Sequence, residues 1–167
     1  MALAARGLEM VYGGGKVGLM GATADGALTA GGRVIGVIPE ALSSKELAHK
    51  GLSELHVVGS MHERKAMMAD LADAFIALPG GFGTIDEFAE IVTWAQLGIH
   101  NKPIGMLNIA GYFDSLLAFF DHSVTEKFVT EKHRAMVLTA DQPDKLLDLI
   151  VNYQPAYSPK WVDRSEV

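Results

Sequence analysis

The stretch Asp73-Ala74-Phe75-Ile76-Ala77-Leu78-Pro79-Gly80-Gly81-Phe82-Gly83-Thr84-Ile85-Asp86-Glu87 leaves this chain little choice of architecture. Its apolar run is too short for a helix and is closed by Pro79, so it reads as a buried strand. Gly80, Gly81 and Gly83 then turn the chain, and an amphipathic segment follows from Thr84. Strand, glycine loop and helix in that order belong to an open α/β sheet, where such a junction lies at the carboxyl end of a strand and ligands bind. Glycines leave backbone N–H groups able to face an anion at a helix N-terminus, and a phosphate fits there. Thr84-Ile85-Asp86-Glu87 also matches a capping box, with Thr84 as N-cap and Glu87 reaching back to the N-cap N–H. A cap needs one glycine at most, so the three present favour close approach to a ligand.

The rest of the chain repeats the alternation. Leu8 to Tyr12 reads as a strand running into Gly13-Gly14-Gly15-Lys16-Val17-Gly18, Leu19 to Ala30 as a helix, and Val34 to Ile38 as a strand closed by Pro39. Gly13, Gly15 and Gly18 form a literal G-x-G-x-x-G, with Glu40 just past the next strand. That layout suits either a dinucleotide fingerprint or a tight turn with close helix–strand packing. Ser43 to Gly51 is polar and is expected to hold a short helix carrying Glu46, with a solvated acid as the bland reading. Leu55 to Val58 is a strand and Met61 to Ala72 a helix. Arg64 and Lys65 sit near the start of that helix, where positive charge opposes the helix dipole unless an anion or carboxylate compensates it. A solvated basic pair is the alternative. His62-Glu63 does not open a zincin motif, because Ala66 stands where the second histidine belongs, and no metal is expected. Thr84 to Leu97 is a helix with apolar residues around more than one face, Trp94 among them. Pro103 to Leu107, the helix Tyr112 to His122, Met136 to Leu138 and the helix Lys145 to Val151 complete a mostly parallel sheet with helices on both faces.

Composition narrows the function classes. With 167 residues, 49% of them hydrophobic, the chain is long enough for one core, so residues 1–151 read as one α/β domain and 152–167 as a C-terminal tail. A net charge of −6 argues against a nucleic-acid polymer as partner, which needs a basic face. Zero cysteines exclude disulfides, thiolate nucleophiles and cysteine-ligated metals. No apolar run approaches a membrane span and no signal peptide is read at the start, so a cytoplasmic location is expected.

Met61-His62-Glu63-Arg64-Lys65 and Pro79-Gly80-Gly81-Phe82-Gly83-Thr84-Ile85-Asp86-Glu87 together resemble the paired signatures of the Lonely Guy (LOG) family of cytokinin riboside 5′-monophosphate phosphoribohydrolases. Val11 to Gly15, Leu19-Met20-Gly21, Val34 to Pro39 and Thr93 to Ile99 extend the likeness to about Val151. The resemblance implies a Rossmann-like homodimer that hydrolyses the N-glycosidic bond of AMP or N6-prenylated AMP, without a cofactor. It implies Glu87 and Arg64 as catalytic residues. The substrate would be held by Glu46, Lys65, Gly80, Gly81, Phe82, Gly83, Thr84 and Thr93. The dimer would form through the 84–99 helix. The family's opening strand and Cys-Gly-Ser-Ser-like turn have no counterpart here, since Met1 to Arg6 matches only the end of the helix that follows them. Loss of that central strand would leave a gap beside Val11. Two other classes fit the residues: a nucleotide-binding protein without catalysis, and a dinucleotide-dependent oxidoreductase using Gly13, Gly15, Gly18 and Glu40. Relatives have also carried a lysine decarboxylase label, but no lysine here stands out as a Schiff-base residue.

Overall fold

The computed structural model describes residues 1–43 and 47–155. Contacts divide the chain into two compact units, Met1–Ala72 and Asp73–Val167. In the first, the helix α1 (Ala2–Ala5), strand β1 (Met10–Tyr12), helix α2 (Gly18–Thr29), strand β2 (Val34–Pro39), helix α3 (Glu40–Ser43), strand β3 (Glu54–Val58) and helix α4 (Met61–Leu71) follow one another. The second contains β4 (Phe75–Ala77), α5 (Phe82–Gln96), β5 (Ile104–Leu107), a 3-10 turn at Ile109–Gly111, α6 (Asp114–Thr125), α7 (Glu131–Arg134), β6 (Val137–Ala140) and α8 (Pro143–Val151).

Each unit carries a three-stranded, all-parallel sheet, ordered β1-β2-β3 in one and β4-β5-β6 in the other. Val11 lies beside Ile35 and Gly36 beside Leu55, while Phe75 lies beside Ile104 and Met106 beside Thr139. The α/β class and the parallel strands are as the sequence implies, but the strands pair as two sheets rather than one. Within its own sheet β1 pairs only with β2, and β4 only with β5.

The central strands explain themselves. β2 and β5 are buried along their whole length, as expected for parallel strands covered on both faces, and so their sequences are apolar runs without alternation. In the first unit Tyr12 and Val34 pack against Ala24 and Ala27 of α2. Ala24 and Ala27 are small enough for this close packing, and Gly21, one turn earlier, leaves room for the preceding loop, where an added Cβ would strike the Lys16 carbonyl. In the second unit Ile104 and Met106 pack with Phe88 and Ala95 of α5 and with Phe113, and Phe88 stacks on Phe120 of α6 at 6.3 Å. Gly105, pointing the other way, lies against Leu146 of α8, so helices cover both faces of this sheet. Ile104 is 1% exposed, and truncating such a residue to alanine costs about 2–5 kcal/mol.

Two local expectations need correction. The helix anticipated over 43–51 is absent from the described part of that segment: α3 ends at Ser43, and Ala48 instead forms an antiparallel bridge with Gly15. Lys16 N–H donates to the Leu47 carbonyl at 3.0 Å and His49 N–H to the Gly14 carbonyl at 2.9 Å. The glycine loop has peptide groups to satisfy, and this segment satisfies them. The helix expected from Thr84 begins two residues earlier, at Phe82, with Gly81 as N-cap. The capping box between Thr84 and Glu87 is therefore not formed, because Thr84 is already the third helical residue.

Candidate active site

In the first unit the site grows from the start of α4. Ser60 is extended and caps the helix, its hydroxyl accepting from Glu63 N–H at 3.1 Å, while the Glu63 carboxylate accepts from Gly59 N–H at 2.8 Å. This reciprocal arrangement fixes the first turn and sets Arg64 one turn in. Arg64 is only 9% exposed. Its guanidinium lies where a side chain at position 13 would stand: a Cβ on Gly13 would come within 2.7 Å of Arg64 Cζ and nearer still to Nη2. Arg64 Nη1 is 3.1 Å from Met61 Sδ. Around the guanidinium, Val17, Met20, Ile38, Leu42 and Leu47 line a cavity of about 220 Å³. A guanidinium in an apolar cup at the end of β1 offers fork-shaped donors to phosphate, carboxylate or sugar oxygens. Lys65 is half-buried on α4 but does not line this cavity.

The G-x-G-x-x-G is thereby accounted for. Gly13 seats Arg64, while Gly14 and Gly18 have φ of +70° and +66°, a region that favours glycine. These are the demands of a tight turn and close packing. Tyr12, just before the loop, is 6% exposed and its hydroxyl has no hydrogen-bond partner among the described residues. Burial, with the charge of Asp25 adding to it, pushes its pKa up to about 12.

In the second unit the site is the β4–α5 junction. The N-cap of α5 is Gly81, which has no side chain to cap the helix. The N–H groups of Gly81, Phe82, Gly83 and Thr84 point out of the helix start with no intrahelical acceptor. The Thr84 side chain lies against Gly80, whose Cβ would fall 3.0 Å from Thr84 Cβ and closer to Oγ1. On its other side the Gly80 carbonyl accepts from the Tyr112 hydroxyl at 2.8 Å. A Cβ on Gly81 or Gly83 would meet nothing within 4 Å, and Phe82 is 92% exposed, so the rim of the loop is open. Glu87 is half-buried and stands one turn after Gly83, on the same helix face. Asp86 is exposed.

Of the residues expected to hold substrate, Gly80 to Thr84 and Glu87 share the first two turns of α5. Thr93 does not join them: it lies about 9 Å along the helix and about 120° round it from Glu87. Its hydroxyl donates to the Ala89 carbonyl at 2.8 Å, and it borders a separate cavity of about 230 Å³ with Phe88, Val92, Phe119 and Phe120. Glu46 lies outside the described residues. Sequence reasoning missed Tyr112, whose only local signal is the turn chemistry of Asn108 to Gly111 before it, and the Ser60-x-x-Glu63 box, which was there to be read. Among the described residues no group of three or more His, Asp or Glu side chains is placed to hold a metal, and no helix is long and apolar enough to cross a membrane.

A family model described as "Possible lysine decarboxylase" matches residues 20–150. Among curated proteins, the probable cytokinin riboside 5′-monophosphate phosphoribohydrolase LOGL9 of Oryza sativa subsp. japonica is 50% identical over 92% of this chain and 67% of its own. The cytokinin riboside 5′-monophosphate phosphoribohydrolase LOG of the same organism is 47% identical over 93% of this chain and 64% of its own. LOG2 of Arabidopsis thaliana is 46% identical over 93% and 73%. The chain thus spans roughly two thirds of the length of these relatives, as little as 62% for LOGL5 and LOGL6. A solved structure, the molybdenum cofactor binding protein from Rippkaea orientalis, superposes with a TM-score of 0.67 over 90% of this chain and 80% of that one. At 23% identity that likeness speaks for the fold alone.

Proposed function

This chain belongs to the Lonely Guy family of cytokinin riboside 5′-monophosphate phosphoribohydrolases, and from that premise we propose that it hydrolyses the N-glycosidic bond of AMP or an N6-prenylated AMP. The products are the free adenine-type base and ribose 5-phosphate. Breaking the C1′–N9 bond leaves an oxocarbenium-like sugar, and a carboxylate beside C1′ stabilises that charge or orients the attacking water. Glu87 takes this part. The N–H groups from Gly81 to Thr84 with the Thr84 hydroxyl take the 5′-phosphate, and Gly80 shapes their loop. Arg64 supplies fork-shaped donors to an anionic or sugar oxygen, and Lys65 a point charge. Glu46 is assigned a substrate contact through family resemblance; Thr93 has the same assignment on resemblance alone, its side chain bordering the separate cavity beside Phe88.

One observation carries the reading: α5 starts at Phe82 with Gly81 as N-cap, so Thr84 is not the N-cap and the Thr84–Glu87 capping box that could otherwise account for both residues is not formed. The open space at Gly81 and Gly83 supports it, since glycines with nothing packed on them are not there for the protein's own core. The seating of Arg64 on Gly13 weighs against a dinucleotide cradle at the first loop. We further propose a cytoplasmic homodimer formed through the α5 region; a monomer in light scattering at micromolar concentration would remove that part. The function is tested by chromatography of AMP and isopentenyladenosine monophosphate after incubation with the chain. Release of adenine or of the prenylated base is expected. Binding of either nucleotide without release would leave a nucleotide-binding protein without catalysis.

A further inference from the structure

A glycine-rich phosphate loop has a weakness. The peptide between Gly80 and Gly81 is flanked by residues that tolerate nearly any backbone conformation, so nothing intrinsic decides which way its carbonyl and N–H point. In this chain something else decides. Tyr112 is 55% exposed, yet its hydroxyl donates to the Gly80 carbonyl at 2.8 Å from 32 residues away. The segment carrying it is held in a costly shape. Ala110, a non-glycine, sits at φ +53°, and Gly111 follows at +71°. Asn108 stabilises this turn from both ends: its side-chain carbonyl accepts from Phe113 N–H at 2.7 Å and its amide donates to the Asp114 carboxylate at 2.7 Å. Phe113, 3% exposed in the core, meets the Tyr112 ring edge-on at 5.0 Å. Left-handed backbone at a non-glycine residue persists only where its surroundings over-determine it, and such places cluster at functional sites.

We propose that Tyr112 is a positioning residue: its hydroxyl locks the Gly80–Gly81 peptide so that the Gly81 N–H faces the 5′-phosphate. A trans peptide directs its carbonyl and its N–H to opposite sides, so a carbonyl tied to Tyr112 turns the N–H away from Tyr112 and also keeps the negative end of the peptide dipole off the anion. The inference rests on the phosphate assignment made for this loop. The role of Tyr112 runs through Gly80, the one group its hydroxyl is seen to bond among the described residues.

The test compares Tyr112→Phe with the parent 167-residue chain, measuring KM and kcat for AMP and inhibition by each product. Phenylalanine keeps the ring and its contact with Phe113 and removes only the donor. KM for AMP and the inhibition constant of ribose 5-phosphate are expected to rise together, about three- to tenfold, the scale of one neutral hydrogen bond. The inhibition constant of adenine, which has no phosphate, should not move, and kcat should stay within about twofold of the parent on that same scale. Asn108→Ala, which loosens the turn from the other end, should move the same constants in the same direction. Unchanged ribose 5-phosphate inhibition in Tyr112→Phe would overturn the proposal, as would equal weakening of ribose 5-phosphate and adenine, the signature of a merely structural role. If the parent releases no adenine, the hydrolase reading falls and calorimetry with ribose 5-phosphate still decides. Weaker binding by Tyr112→Phe supports the lock, and equal or undetectable binding of both proteins overturns it.

Discussion

The two glycine loops, 13–18 and 80–84, look alike in sequence and do opposite things. Both follow a parallel strand and both lead into a helix. In the first, protein atoms already stand over three of the glycines: Arg64 lies on Gly13, Ile38 Cβ is 3.1 Å from where a Gly14 side chain would begin, and Met20 is 3.3 Å from that point at Gly15, while Gly18 meets nothing within 4 Å and takes a positive φ. Its peptide groups are also engaged by residues 47–49. In the second, Gly80 lies against Thr84, but Gly81 and Gly83 meet nothing within 4 Å among the described residues and the N-cap of the helix is itself a glycine. Glycine therefore announces close approach without saying by what. The answer comes from whether the space is already filled.

The sharpest way to break this contrast is Gly13→Ala. The added methyl would displace the Arg64 guanidinium, and overpacking of this kind costs about 1–3 kcal/mol. If Arg64 works where Gly13 seats it, adenine release should fall about a hundredfold, since a displacement near 1 Å can cost that much. Unchanged turnover in the folded variant would make Arg64 a structural residue.

Gly83→Ala should do the reverse to stability. Position 83 is helical and unobstructed, so alanine should raise the unfolding free energy by about 0.5–1 kcal/mol in chemical denaturation. The same methyl stands one turn from Glu87, and KM for AMP should rise about fivefold, on the scale of about 1 kcal/mol of lost fit. A variant that is more stable and binds AMP as well as the parent would mean that the second loop is open for no functional reason.

Tyr12, at the mouth of the filled loop, gives the smallest effect. Tyr12→Phe removes a buried hydroxyl without a partner among the described residues and should stabilise the chain by up to about 1 kcal/mol at neutral pH. Because the folded-state pKa is raised from 10.0 to about 12, the contribution of this group is intact below pH 10. It is lost as pH rises toward 12, where the unfolded tyrosine ionises and the folded one does not. The stability gap between the variant and the parent should therefore widen above pH 10; a constant gap in denaturation curves from pH 8 to 11 would contradict the burial account.

Much of the fold was legible because its signals are local. Val34 to Pro39 and Ile104 to Leu107 are apolar runs of strand length, and they are the central strands. Two helix starts show where local reading fails. Ser60-Met61-His62-Glu63 and Thr84-Ile85-Asp86-Glu87 both match a capping box, and only the first caps its helix, Ser60 accepting from Glu63 N–H while the Glu63 carboxylate reaches Gly59 N–H, one residue before the cap. Gly83, a poor helix former, drew the expected boundary downstream, whereas the helix accommodates it. The pairing of 47–49 with the first loop and the reach of Tyr112 to Gly80 join residues more than 30 positions apart, and no periodicity records such contacts. The catalytic assignments came from motif resemblance; the structure adds that Thr84 is not the N-cap of α5 and that Arg64 has a seat.

Glu87→Gln tests the central claim most directly, because the amide keeps the shape of the carboxylate and removes its charge. With no Thr84–Glu87 capping box to lose, the variant should melt within about two degrees of the parent, a change of at most about 1 kcal/mol. It should still bind AMP in calorimetry, and it should release adenine at least about a hundredfold more slowly, the usual cost of one electrostatic contact to a developing charge. Near-parental adenine release from a folded Glu87→Gln protein would contradict the account and leave the open glycine loop without its catalyst.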